Sequence, residues 1–121
     1  MESLVKETLV MAAKNGYKAY EVEGHDTFGF LITPDDNILT VNRGIWGGIS
    51  FSFDYVPSRE HGQGCSCCDD TIWECDIDML KTLEAEGKAF ALKLGAKLYS
   101  SSKEWYDSCY WNGRGLKEIA A

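Results

Sequence analysis

The stretch Ile49-Ser50-Phe51-Ser52-Phe53-Asp54-Tyr55 alternates large apolar with small or polar side chains without a break. Successive side chains of a strand point to opposite faces. This order therefore puts Ile49, Phe51, Phe53 and Tyr55 into a core and predicts that Ser50, Ser52 and Asp54 face solvent. It is the cleanest period of two in the chain, and the neighbouring strands are placed relative to it. Just upstream, Gly44, Gly47 and Gly48 surround Ile45 and Trp46, a glycine-rich loop or bulge that presents a tryptophan. Ile38 to Asn42 reads as a strand. Pro34-Asp35-Asp36-Asn37 before it reads as a turn, because proline presets the second turn position and Asp or Asn side chains close the turn locally. Thr27 to Thr33 (TFGFLIT) is then the antiparallel partner, and Tyr17, Tyr20 and Val22 mark a strand before that.

Helices flank this meander. Leu4, Val5, Leu9, Ala12 and Ala13 recur at helical spacing, and Asn15-Gly16 is a natural left-handed stop. Pro57 ends the aromatic strand. Ile77, Leu80, Leu83, Gly87, Phe90, Ala91 and Leu94 trace one face of a long helix, with Asp76 or Asp78 as N-cap and Gly95 as its end. Lys97 to Tyr99 reads as a short edge strand. Ser101-Ser102-Lys103-Glu104 has the form of a capping box, and it opens a last helix carrying Trp105, Tyr106, Cys109 and Trp111. The 121 residues suit one domain. The expected fold is a single α+β domain over 1–121. An antiparallel three- to four-stranded meander is packed by an N-terminal helix and two C-terminal helices, with a zinc-binding loop at 58–76 between the sheet and the long helix.

Nineteen acids against twelve bases give a net charge of −7. That sign disfavours a direct grip on nucleic acid or anionic lipid and suits a partner with a basic surface. No run approaches the roughly 18 apolar residues of a membrane span. The N-terminal MESLVKETLVMAAKNGYK lacks the apolar block of a signal peptide, so the expected location is the cytoplasm. Reducing compartments disfavour disulfides, which leaves metal binding or redox chemistry for the five cysteines.

His61, Cys65, Cys67, Cys68 and Cys75 crowd one segment and are separated mostly by Gly, Ser and Asp. A structural zinc site needs four converging soft donors on a backbone able to wrap the ion, and thiolates prefer zinc to hard cations. The expected ligands of Zn2+ are Cys65, Cys67, Cys68 and Cys75, with His61 as alternate. Two other readings stay open: a redox-active vicinal pair at Cys67-Cys68, or cysteines without function. Cys109, in an aromatic helix, reads as a core thiol. A catalytic zinc would need an open position and a general base. The deaminase pattern, the phosphate-binding glycine loop and the G-x-S-x-G elbow are all absent from the sequence. His25, at a turn, is given no chemistry. The chain is read as a non-enzymatic binding protein.

Two groups of side chains could make its contact surface. Asp69, Asp70 and Glu74, continued by Asp76, Asp78, Glu84 and Glu86, are opposed locally by Lys81 alone. Such a patch would be steered into a basic groove; the same acids could instead complement the helix dipole. Trp46 in its glycine loop, and Trp105, Tyr106, Tyr110 and Trp111 near the C-terminus, cannot all point inward, so some, Trp46 and Trp111 first, would supply aromatic anchors of the kind that dominate interfaces; the alternative is that most are core.

Phe28 to Thr33 (FGFLIT), Ile49 to Cys65 (ISFSFDYVPSREHGQGC) and Lys97 to Trp105 (KLYSSSKEW) resemble small accessory proteins of phages and prophages, which include the anti-CRISPR inhibitors. The resemblance implies a small, acidic, non-enzymatic protein in the host cytoplasm that binds a defence nuclease, specifically a Cas9-type nuclease, and blocks its nucleic-acid contacts. It carries no binding residue onto this sequence. The alternatives are a metal- or redox-responsive regulator built on the cysteine loop, and a small zinc-dependent enzyme.

Overall fold

The computed structural model describes residues 4–43, 48–56, 69–72, 77–108 and 115–120. Helix α1 (Leu4–Lys14) buries Val5, Thr8, Leu9, Ala12 and Ala13 along one stripe, as the spacing requires. It stops where Asn15-Gly16 predicts. Gly16 takes φ 94°, the Tyr17 N–H reaches the Ala12 carbonyl at 3.1 Å, and the Gly16 N–H reaches Ala13 at 3.3 Å. These are the paired bonds of a Schellman cap, and the left-handed residue they need is cheapest as glycine. The second helix ends in the same way at Gly95, with Ala96 N–H on Ala91 and Gly95 N–H on Leu92.

Strands β1 (Lys18–Val22), β2 (His25–Ile32), β3 (Ile38–Arg43), β4 (Ile49–Phe53), β5 (Asp69–Ile72) and β6 (Leu116–Glu118) form one sheet in the order β5-β4-β3-β2-β1-β6. Every neighbouring pair is antiparallel. The α+β meander is therefore as expected, and its sheet is wider than three to four strands because a short strand closes each edge. Lys97–Tyr99 is not a strand; it is tied to the sheet by the Val56 N–H donating to the Lys97 carbonyl at 2.9 Å.

Helices α1 and α2 (Ile77–Lys93) share one face of the sheet, over Ala19, Leu31, Leu39, Val41, Phe51 and Phe53. Helix α3 (Ser102–Ser108) covers the other, where Trp105 packs with Val22, Phe30, Ile32 and Ile38. Both helices on the first face rest on glycines. A Cβ on Gly29 would lie 2.7 Å from Leu9 Cδ1 of α1, and a Cβ on Gly87 of α2 would lie 2.6 Å from Phe53 Cβ. Bare backbone at these points lets helix and sheet approach more closely than side-chain contact allows.

The aromatic positions of β4 are buried as predicted, but its polar face is not turned to solvent. Ser52 is 1 % and Asp54 2 % exposed. A sheet covered on both faces buries both sets of alternating positions. Buried polar groups then need partners, and the Thr40 hydroxyl donates to Asp54 Oδ1.

Candidate functional site

The turn Pro34–Asn37 between β2 and β3 anchors helices on both faces of the sheet. The Thr33 N–H donates to the Asn37 carbonyl at 2.8 Å, and the Asn37 N–H returns to Thr33 Oγ1 at 3.1 Å. Asp36 sits at φ 67°, the left-handed conformation that Asp tolerates better than most residues. Its carboxylate accepts the Ser102 N–H at 3.0 Å and so caps α3 from another part of the chain. Hydrogen bonds from the Ser102 hydroxyl and amide hold the Asp36 carboxyl below its ordinary range. At the same helix start, the Glu104 N–H donates to Ser101 Oγ at 3.2 Å, one half of the expected capping box. The other half shifts by one residue: Glu104 Oε2 accepts from the Ser100 hydroxyl and from the Ser100 N–H at 2.6 Å, and these bonds lower its carboxyl pKa.

On the opposite face the same turn holds α2. Glu84, 8 % exposed, accepts from Thr33 Oγ1 at 2.6 Å and from Asn37 Nδ2 at 2.7 Å. This removes Glu84 from the acidic surface read from the sequence, while Asp78 and Glu86 are exposed. Glu84 is an internal clamp, and the donors that bury it come from a turn distant in the chain, which linear charge order cannot reveal. Asp78 lies in the first turn of α2, where it complements the dipole.

The cysteine-rich segment leaves and re-enters the sheet at defined places. Ile49 pairs with Ile72 and Ser52 with Asp69, so β4 and β5 are direct neighbours joined by residues 54–68. Its first residues are fixed: the Asp54 N–H binds the Ile38 carbonyl at 2.9 Å, its side chain binds Thr40, and Val56 binds Lys97. Asp69 and Asp70 are the opening residues of β5, paired with Ser52 and Phe51. His61, Cys65, Cys67, Cys68, Glu74 and Cys75 lie outside the described residues, as do Trp46, Cys109 and Trp111. Among the described residues no group of three or more His, Cys, Asp or Glu side chains converges on a common point. The placement of β5 still bears on the donor set. Its four residues carry the chain about 10 Å in extended form. His61, Cys65, Cys67 and Cys68 all precede this strand, whereas Cys75 follows it and shares an ion with them only if residues 73–76 turn the chain back. The expected set of Cys65, Cys67, Cys68 and Cys75, with His61 as alternate, lies wholly outside the described residues.

A surface cavity of about 180 Å3 lies between α1 and the β1–β2 hairpin, bordered by Lys6, Glu21, His25, Asp26 and Phe28. Lys6 Nζ and Glu21 Oε2 pair across it at 2.6 Å, so its two central charges neutralise each other. His25 is exposed at the start of β2, its ring tilted against Phe28 with centroids 5.0 Å apart. No helix among the described residues is long and apolar enough to cross a membrane.

No protein-family model matches this chain, and no solved structure matches it.

Proposed function

We propose that this chain is a zinc-stabilised, non-enzymatic binding protein of the anti-CRISPR type, which occupies a basic nucleic-acid-binding surface of a Cas9-type nuclease in the host cytoplasm. The observation that carries the metal part is the concentration of thiol and imidazole donors in one segment whose two ends are held on adjacent strands β4 and β5. A segment pinned at both ends has already lost part of its closure entropy, which favours a metal clip within it. The donor chemistry fits zinc: Cys65, Cys67 and Cys68 would hold the ion with His61 or Cys75. When bound, the ion would supply cross-linking rather than chemistry. The residues Asp69, Asp70 and Glu74 beside it, with Trp46 and Trp111, are the proposed contacts to the partner, and the net charge of −7 supports a basic one.

Metal analysis of protein purified without chelator tests the first half. About one zinc per chain is expected, lost together with thermal stability in Cys65→Ser. Comparing Cys75→Ser with His61→Ala then identifies the fourth ligand by which variant retains the metal. The second half is tested by competition: the chain should displace guide or target nucleic acid from a Cas9-type nuclease, and reversal of Asp69, Asp70 and Glu74 to lysine should weaken that displacement. Protein with five free thiols and no metal would point instead to a redox-responsive regulator.

A further inference from the structure

Where β1, β2, β6 and α3 meet on the second face of the sheet, Tyr20, Phe28, Tyr99 and Leu116 pack against the buried cluster that holds Trp105, and Tyr106 follows Trp105 in the helix. Tyr20 pairs with Phe30 on one side and with Glu118 on the other, so phenol and carboxylate share that face. The Tyr20 hydroxyl donates to Glu118 Oε1 at a long 3.4 Å, which leaves the carboxylate able to accept from a stronger donor. Phe28 meets Phe30 edge-on with centroids 6.1 Å apart, Phe30 meets Trp105 at 5.1 Å, and Trp105 meets Tyr106 at 6.4 Å. The rings therefore run from the strands to the outside, where Tyr106 is 38 % exposed; Tyr20 is half-buried and its partner Glu118 exposed. Burial, then the Glu118 charge and the nearby Tyr106, raise the Tyr20 pKa, so the phenol stays neutral. Among the described residues the ion pairs are Lys6–Glu21 and Lys103–Asp107, and Glu118 belongs to neither.

An exposed ring, Tyr106, and the half-buried Tyr20 with its exposed carboxylate partner suit one kind of visitor best. A phosphate would meet the carboxylate and the overall negative charge. An aliphatic side chain would bury the carboxylate with only the long Tyr20 bond to satisfy it. A guanidinium satisfies both parts, because its planar fork binds a carboxylate and its face stacks on aromatic rings. We infer that Tyr20, Tyr106 and Glu118 form a contact point for an arginine side chain of a basic partner protein. The inference rests on the reading of the chain as a binder of a basic surface. β5 and β6 are opposite edges of the sheet, about 24 Å apart at ordinary strand spacing. This contact is thus well separated from the one proposed beside the cysteine segment, and a partner touching both would span the sheet.

The test is a titration of the full isotope-labelled chain with a capped tri-arginine peptide, followed by NMR. A capped tri-lysine peptide of equal charge and a short single-stranded oligonucleotide serve as comparisons. The arginine peptide should shift the amides of Tyr20, Tyr106 and Glu118 and bind more tightly than the lysine peptide. Tyr106→Ala and Glu118→Gln should each weaken it by roughly two- to fivefold, the range of an exposed cation–π contact, with the spectrum elsewhere unchanged. Equal response to lysine, preference for the oligonucleotide, or arginine-induced shifts confined to other acidic positions would each overturn this contact. The last outcome leaves the basic-partner reading standing, since the nuclease competition decides that reading separately. No response to either peptide overturns the contact as well.

Discussion

Gly87→Ala offers a sharp test of how α2 meets the sheet. In an exposed helix this substitution stabilises by about 0.8–1.0 kcal/mol, because alanine loses less backbone entropy than glycine. Here the added methyl would lie 2.6 Å from Phe53 Cβ and 3.3 Å from its Cγ. Carbon atoms in contact sit about 3.5–4.0 Å apart, so roughly 1 Å of movement is needed. A change of Phe53 rotamer cannot supply it, since Cβ is fixed by the backbone, and that backbone is paired with Leu39 in the ladder. The helix must lift instead, against the Glu84 clamp one turn away. Overpacking of this kind costs about 1–3 kcal/mol, and the backbone-fixed contact places it in the upper part of that range. The net expectation is a loss of about 1–2 kcal/mol, or on the order of 4–8 °C in Tm. Urea unfolding followed by circular dichroism reads this directly. Ala85→Gly, on the exposed side of the same helix, calibrates the propensity effect with an expected loss of about 1 kcal/mol. A Gly87→Ala protein more stable than wild type would refute the close approach of α2 to β4.

Two further expectations concern the turn at Pro34–Asn37. Glu84→Ala strands the Thr33 hydroxyl and the Asn37 amide without their acceptor and should cost about 2–3 kcal/mol, whereas Glu84→Gln keeps an acceptor oxygen and should cost less than about 1 kcal/mol by urea unfolding. Asp36 and Glu104 have folded pKa values below their ordinary 3.8 and 4.5. Their contribution is therefore fully present above those values and is lost as the pH falls through the lower folded ones. The Ser102 amide proton, followed by NMR, should keep its carboxylate-bonded shift down to the ordinary Asp value of 3.8 and lose it only below that, and Asp36→Asn should remove that titration step.

The elements whose pattern is local were legible in the sequence. α1, its stop at Gly16, the TFGFLIT and ISFSFDY strands, the Pro34 turn and the long second helix each carry their signal within a few residues. β5 and β6 were not, because Asp-Asp-Thr-Ile and Leu-Lys-Glu have no period of their own and become strands only by pairing with β4 and β1. Lys97–Tyr99 had the better strand composition but found no ladder. Ser52 and Asp54 alternate correctly, yet alternation says which residues share a face and not whether that face is covered. The cysteine segment is legible as donor chemistry, through Cys65, Cys67, Cys68, Cys75 and His61, all of which lie outside the described residues. The Tyr20–Glu118 contact left no linear trace: its residues meet only because a C-terminal strand returns beside β1.

The hairpin of β2 and β3 also has a consequence for the order of assembly. Its ladder closes with Ile32 opposite Ile38, so it forms from neighbours in sequence. The bonds that use its turn span much greater separations, Thr33 to Glu84 and Asp36 to Ser102. Local contacts form early and long-range ones late. The hairpin is thus cheap to close, yet a two-stranded hairpin alone is marginal in water. Its turn is completed by the helices it anchors: Glu84 of α2 takes Thr33 and Asn37, and Ser102 of α3 takes Asp36. Turn and helices hold one another, so loosening either helix should loosen the turn that the other one needs.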